Sequence, residues 1–255
     1  MLLYKKGLKI KRKMEELNML DVSAERLAEL KSKGFLFMKD KEHFVVRIIL
    51  PAGMATSDEL KKIAYVADKY AEGKVVVTVR LNAEIPGIKY ENVEPMMKEM
   101  EELGLVYGGT NVGVRPLVCC KGTVCKFGLI DTQKLCKELH DEFFEAPLPH
   151  KFKINITGCP NNCAKVQLND LAFMGSPKNT LRVFIGGRFG RQSIIGEEIC
   201  KIPYESAKDV TNVCLDFFKA HGKAKQRFGD LLNEMKDTTE YKEFIEKLKS
   251  FTVQQ

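Results

Sequence analysis

No stretch of this chain is apolar enough to cross a membrane. Its most apolar run, FVVRIIL, is seven residues long and carries Arg47, far short of the ~20 residues a spanning helix needs. The opening MLLYKKGLKIKRKMEEL is basic but has no apolar core of the kind a secretory leader carries. We therefore expect a soluble, cytoplasmic protein with no membrane partner. No basic run interleaved with aromatics follows residue 13, so the net charge of +7 does not read as a nucleic-acid footprint. A solvated surface or an anionic ligand accounts for it instead. Nucleotide fingerprints are missing too: GGTNVG at Gly108–Gly113 lacks both the spacing and the strand–helix context. There is no run of three cysteines at ferredoxin spacing, no internal repeat, and no Gly/Ser- or Pro-rich linker. The two halves are accordingly expected to pack together.

What is present is a chain of 255 residues, 44% hydrophobic and 29% charged, enough for one or two domains with a sizeable core. Residues 1–42 read as a basic helical lead-in, with Asp21 or Ser23 capping AERLAELKSKG. HFVVRIILPAG and KVVVTVRL read as strands. TSDELKKIAYVADKYAEG reads as a helix capped by Thr56 or Ser57, and IKYENVEPMMKEMEELG as a further helical unit. That order predicts a small α+β sandwich over 43–107. A second α+β domain is predicted over 108–255, with strands KFKINI and TLRVFIGG and a helical C-terminus from about Tyr204.

Eight cysteines in a reducing compartment point to metal binding or buried thiols rather than disulfides. Cys136 lies on an apolar face with Leu135, Leu139 and Phe143, and Cys214 sits in VCLDFF. These two and Cys200 read as core residues. Cys159 and Cys163, in TGCPNNC, occupy a Gly/Pro/Asn-rich turn after a strand. VCCKGTVC supplies Cys119, Cys120 and Cys125 upstream. Two separated groups of thiols can hold zinc or an iron–sulfur cluster, and the spacing departs from the short knuckles of a zinc ribbon.

Cations stand out in apolar strands. Arg47 shares a face with Val45, Arg80 with Thr78, and Lys151 with Lys153, while Arg115 comes just before the thiols. A buried cation needs solvent or an anion, so the combination points to a cationic pocket beside a metal site.

These motifs together resemble the sulfite/nitrite reductases that couple sirohaem to a 4Fe–4S cluster, in a short, single-repeat form. TGCPNNC resembles the family's second cysteine motif and CKGTVC its first. NVGVRP, TVR, LPHKFK and GGRFG resemble the cation- and cofactor-bearing segments. The resemblance covers roughly 43–235 and implies a ferredoxin-like half domain followed by a cofactor domain. It implies cluster ligands at Cys120, Cys125, Cys159 and Cys163, with Cys119 as the alternative to Cys120. Cys163 would also link the cluster to the sirohaem iron. Arg47, Arg115, Lys151 and Lys153 would bind the substrate oxyanion, and Arg80, Asn161 and Arg188 would contact the macrocycle with its eight carboxylates.

Three departures stand out. The first cysteine pair is one residue off the family spacing if Cys120 is a ligand. Glu84 stands where the family usually has Gln, so a carboxylate faces a polyanion unless it is paired or protonated. And the chain holds one copy of a unit that longer members carry twice, which predicts a homodimer or larger assembly. The implied activity is reduction of sulfite to sulfide, with nitrite reduction to ammonia, or a non-catalytic iron–sulfur electron-transfer subunit, as alternatives. Electrons would come from a separate ferredoxin or reductase subunit.

Overall fold

A computed structural model describes residues 22–253. Within them the chain forms two compact units: one runs to Ile49 and resumes over 55–110, and the other takes Leu50–Met54 and the chain from Asn111. Both are α+β. Residues 1–21, including Asp21, lie outside the described residues.

The first unit begins with helix α1 (Ala24–Ser32), capped by Ser23, whose Oγ accepts from Arg26 N at 3.1 Å. This helix and strand β1 (Phe35–Phe37) fall within the segment read as a lead-in, yet β1 pairs with β2 (His43–Ile48) in the sheet. In β2, Phe44, Val46 and Ile48 are buried while Val45 and Arg47 are half-buried, the two-residue alternation of a strand with one core face. Helix α2 (Ser57–Tyr70) starts with a capping box. Glu59 N donates to Thr56 Oγ1 at 3.1 Å and Thr56 N donates to Glu59 Oε2 at 2.7 Å.

The next strand differs from expectation. Of VVVTVRL only Val76–Val77 pair, as a two-residue edge strand β3. The chain then turns: Leu81 N donates to Thr78 O at 3.0 Å, Leu81 takes φ +61, and Arg80 lies in the turn. Val77 is 79% exposed and Val79 98%, so β-branched composition here marks an edge and not a core strand. The inner strand is β4 (Ala83–Lys89, AEIPGIK), in the order β1-β2-β4-β3. Pro86 and Gly87 make it look like a break. They form a bulge in the β2–β4 register, where a residue without N–H costs no ladder bond. Helix α3 (Tyr90–Glu102) follows, burying Val93, Met96, Met97 and Met100.

The second unit holds a sheet of order β5-β6-β7-β8-β9: β5 (Val118–Cys119), β6 (Ile154–Thr157), β7 (Leu171–Ser176), β8 (Thr180–Ile185) and β9 (Glu197–Pro203). β5, β6 and β7 run parallel, and the remaining pairs are antiparallel. Helix α4 (Thr132–Phe143) makes the crossover between β5 and β6, as a parallel pair requires. All six residues of β7 are buried. Helices α5 (Ala207–His221), α6 (Phe228–Met235) and α7 (Thr239–Lys249) complete the unit. Phe152, Phe218 and Phe228 meet with ring centroids 5.1–6.0 Å apart. Cys136, Cys200 and Cys214 are buried in this core, as the sequence implied.

His140, on α4, is 5% exposed, stacks on Phe144 at 4.5 Å, and has a buried Nδ1 with no hydrogen-bond partner. Burial holds its pKa below the ordinary 6.5. The unfolded chain then binds the extra proton more readily, so stability falls as pH drops below about 6.5. His140→Leu is expected to flatten the fall in Tm between about pH 7 and pH 5, as read by thermal melts; an unchanged slope counts against this assignment.

Candidate cofactor and anion site

β5 separates the adjacent cysteines. Cys119 points into the core: it is 4% exposed, and its thiol lies 3.6 Å from Ala52 O. A hydrogen bond with Cys136 lowers its pKa against the effect of burial. Cys120 faces the other way. Its Sγ accepts from Gly158 N at 3.1 Å and lies 3.7 Å from Thr157 Oγ1. The sulfur of the first cysteine segment therefore touches the backbone of the second.

Two glycines make that approach possible. A Cβ on Gly122 would stand 3.0 Å from Gly158 Cα and 2.6 Å from Thr132 Cγ2, and one on Gly158 would stand 2.9 Å from Gly122 Cα. Any side chain at either position separates the segments. From Gly122 a short 3-10 turn leads to half-buried Cys125. In the second segment Asn162, at φ +52, donates its N–H to Cys159 O at 3.1 Å. Its side chain accepts from Val166 N at 2.9 Å and donates to Gln167 Oε1 at 2.6 Å. Asn155 Nδ2 donates to Ala164 O at 2.9 Å. The turn thus presents Cys159 half-buried and Cys163 exposed. Asn161, its predicted cofactor contact, is exposed beside them, while its neighbour Asn162 shapes the loop. After Cys163 the chain makes only a 3-10 turn, Val166–Leu168, before it enters β7.

Among the described residues no three His, Cys, Asp or Glu side chains converge closely enough for a single metal ion. A four-iron cubane holds its thiolates at separated corners, and an all-cysteine donor set is its usual one. The paired segments fit that group.

The cations of this unit are tied together by the chain's own pairing. Phe152 is fully buried and bridges Val114: Arg115 N donates to Phe152 O and Phe152 N to Gly113 O, both at 2.8 Å. Regular strand structure begins only at Ile154, yet Lys151 and Lys153 flank Phe152 and both are half-buried. The Arg115 guanidinium donates to Asn111 O at 2.7 Å. Burial, then the charges of Arg227 and Arg115, lower the pKa of Lys151, with Arg188 adding to the effect. His150 is lowered by burial, Lys151, Arg227 and Arg115. Arg188, in the GGRFG turn, pairs with Asp230 and donates to Gln192 Oε1 at 2.6 Å.

In the first unit, Arg47 is held on three sides. Nε and Nη2 donate to Glu84 Oε1 at 2.9 and 2.7 Å, and Nη1 donates to Gly109 O at 3.2 Å. The carboxylate of Glu84 is therefore paired, and both side chains are 19% exposed. Arg80 is half-buried in its turn.

Sequence reading missed Asp170 and Arg227. Asp170 is fully buried, and Arg227 Nη2 donates to its two carboxylate oxygens at 2.9 and 2.7 Å. Burial raises the Asp170 pKa, and Arg227 and the Lys153 N–H pull it back. Arg227 stands alone among surface-like residues in AKQRFGD, and nothing local marks it.

Residues 111–252 match the family described as nitrite and sulphite reductase 4Fe-4S domain, and residues 37–103 match the nitrite/sulfite reductase ferredoxin-like half domain. An assimilatory-type sulfite reductase of Nitratidesulfovibrio vulgaris is 30% identical over 73% of this chain and 85% of its own length. A coenzyme F420-dependent sulfite reductase of Methanocaldococcus jannaschii is 36% identical over 53% of this chain, which spans 22% of it. A chloroplastic ferredoxin–nitrite reductase of Arabidopsis thaliana is 29% identical over 60% of the chain and 28% of its own length. The chain thus covers only part of the longer relatives. In fold, it resembles the NirA protein of Mycobacterium tuberculosis, with TM-score 0.74 and 17% identity over 94% of this chain and 50% of that one. The chain belongs to the nitrite/sulfite reductase family, whose cofactors are sirohaem and a 4Fe–4S cluster.

Proposed function

We propose that the chain reduces sulfite to sulfide. The observation that carries this reading is the contact of the two cysteine segments through Gly122 and Gly158, in the same unit as half-buried Lys151 and Lys153. In this reading Cys120, Cys125, Cys159 and Cys163 would hold the cluster, with Cys163, the exposed thiol, as the residue that would also serve the sirohaem. Arg80, Asn161 and Arg188 serve the macrocycle. When bound, sirohaem and the cluster would pass the donor's electrons to the anion.

The protein's part is anion binding and proton delivery. Lys151, Lys153, Arg115 and Arg47 draw in and orient the oxyanion. The lowered pKa of Lys151 makes it a readier proton donor as oxygen leaves as water. In this reading the working form is a homodimer or larger assembly, supplied with electrons by a separate ferredoxin or reductase subunit.

The preference for sulfite rests on Lys153: a second lysine favours the more highly charged anion. Nitrite is favoured by a different observation, the neutralisation of Arg47 by Glu84. Glu84→Gln is expected to lower KM for sulfite about three- to tenfold, and less for nitrite. Equal changes for both anions would show that this pair does not set the preference between them. The reading as a whole is tested on the anaerobically purified protein. A tetrapyrrole band that shifts with sulfite, about five irons per chain, and sulfide as product support it. A cluster without a tetrapyrrole band makes it an electron carrier, and zinc without iron removes it.

A further inference from the structure

We propose that the buried Asp170–Arg227 pair is the positioning device for the lysine segment: it fixes Lys151 and Lys153 on the anion-binding side of Phe152. Asp170 immediately precedes β7, the strand beside β6. One carboxylate oxygen, Oδ2, accepts the backbone N–H of Lys153 at 2.9 Å, while Leu171 N donates to Lys153 O at 3.2 Å. Lys153 is thereby held at both its N–H and its C=O, one residue before regular pairing begins. The Asp170 carbonyl accepts from Gly186 N at 2.8 Å, tying the same residue to the turn that carries Arg188. Arg227 then locks the carboxylate through Nη2, its Nε buried without a hydrogen-bond partner. The next residue, Phe228, packs edge-on against Phe152 at 5.1 Å. The segment is gripped from both sides: Asp170 on Lys153, Phe228 on Phe152.

Stability alone does not explain a charged pair here, because an apolar pair of similar volume is often as stable or more so. What an apolar pair cannot do is accept the Lys153 N–H. Arg227 also stands near enough to act on the charges of His150 and Lys151, so loosening it disturbs both lysines at once.

The anion at issue rests on the reductase reading, but the positioning does not. The test therefore uses two readouts on the full chain, with the double variant Asp170→Leu/Arg227→Met and the milder Asp170→Asn and Arg227→Lys. The first is hydrogen exchange at the Lys153 amide, which needs no cofactor. We expect exchange about tenfold faster in the double variant, with Arg227→Lys close to the parent. The second is sulfite turnover by the holoprotein. We expect KM to rise about tenfold and kcat to fall about threefold in the double variant, because the lysines both bind the anion and deliver protons, and Arg227→Lys to stay close to the parent in both. A variant that melts near the parent yet leaves both the exchange rate and KM unchanged overturns the proposal. If the double variant does not fold, Asp170→Asn decides by the same readouts. Failure of the parent to reduce sulfite would remove the reductase reading alone, and the exchange measurement would still decide the positioning.

Discussion

Cys120→Ser is expected to strip the protein of its cluster, while Cys119→Ser keeps it. The two thiols are neighbours in sequence and opposite in surroundings. Cys120 Sγ lies against Gly158 N, on the segment that carries Cys159. Cys119 is enclosed by the core with Cys136 and Ala52. Serine at 120 removes a thiolate donor, and iron and acid-labile sulfide should fall from about four per cluster to below about one per chain, with sulfite reduction at background. Serine at 119 places a hydroxyl in an apolar core, which costs about 1–3 kcal/mol of stability and leaves the iron count alone. Iron and sulfide assays with a melting curve on each variant read this directly. Iron kept in Cys120→Ser and lost in Cys119→Ser would reverse the ligand assignment.

Gly158→Val carries the second large effect. Neither Gly122 nor Gly158 needs a left-handed backbone; both are glycine because their backbones touch. The smallest side chain at 158 puts carbon 2.9 Å from Gly122 Cα, and valine adds two methyls to a site with no room. Overpacking of this kind costs about 1–3 kcal/mol, and here the strain relaxes by parting the cysteine segments. We expect cluster content to fall by more than about half, together with a lowered Tm. Gly104→Ala is the control. It has open space around its Cβ but φ +71, so it loses up to about 1 kcal/mol through backbone strain with iron unchanged. A Gly158→Val protein that holds its full iron would show that the contact does not hold the two segments together.

The chemistry of the site was legible in sequence where residue type alone carries it. Thiols in TGCPNNC and VCCKGTVC, and cations within apolar runs, announce themselves. Which of Cys119 and Cys120 faces outward was not legible, because spacing says nothing of the side on which a strand presents alternate residues. Asp170 and Arg227 escaped for another reason: they are 57 residues apart, and each looks like an ordinary surface charge until both are found buried. In the fold, helices with clear caps were readable, as Thr56 and Glu59 show. VVVTV misled because β-branched residues suit an exposed edge as well as a core. AEIPGIK hid a central strand behind a Pro–Gly bulge.

The parallel pairing of β5 with β6 also sets how much chain must close to bring the cysteine segments together. Parallel neighbours cannot be joined by a hairpin, so the segment of Cys120 and Cys125 reaches that of Cys159 and Cys163 only across the long connection that contains α4. The four thiols therefore come from two segments joined through a helix, and not from one short knuckle as in a zinc finger.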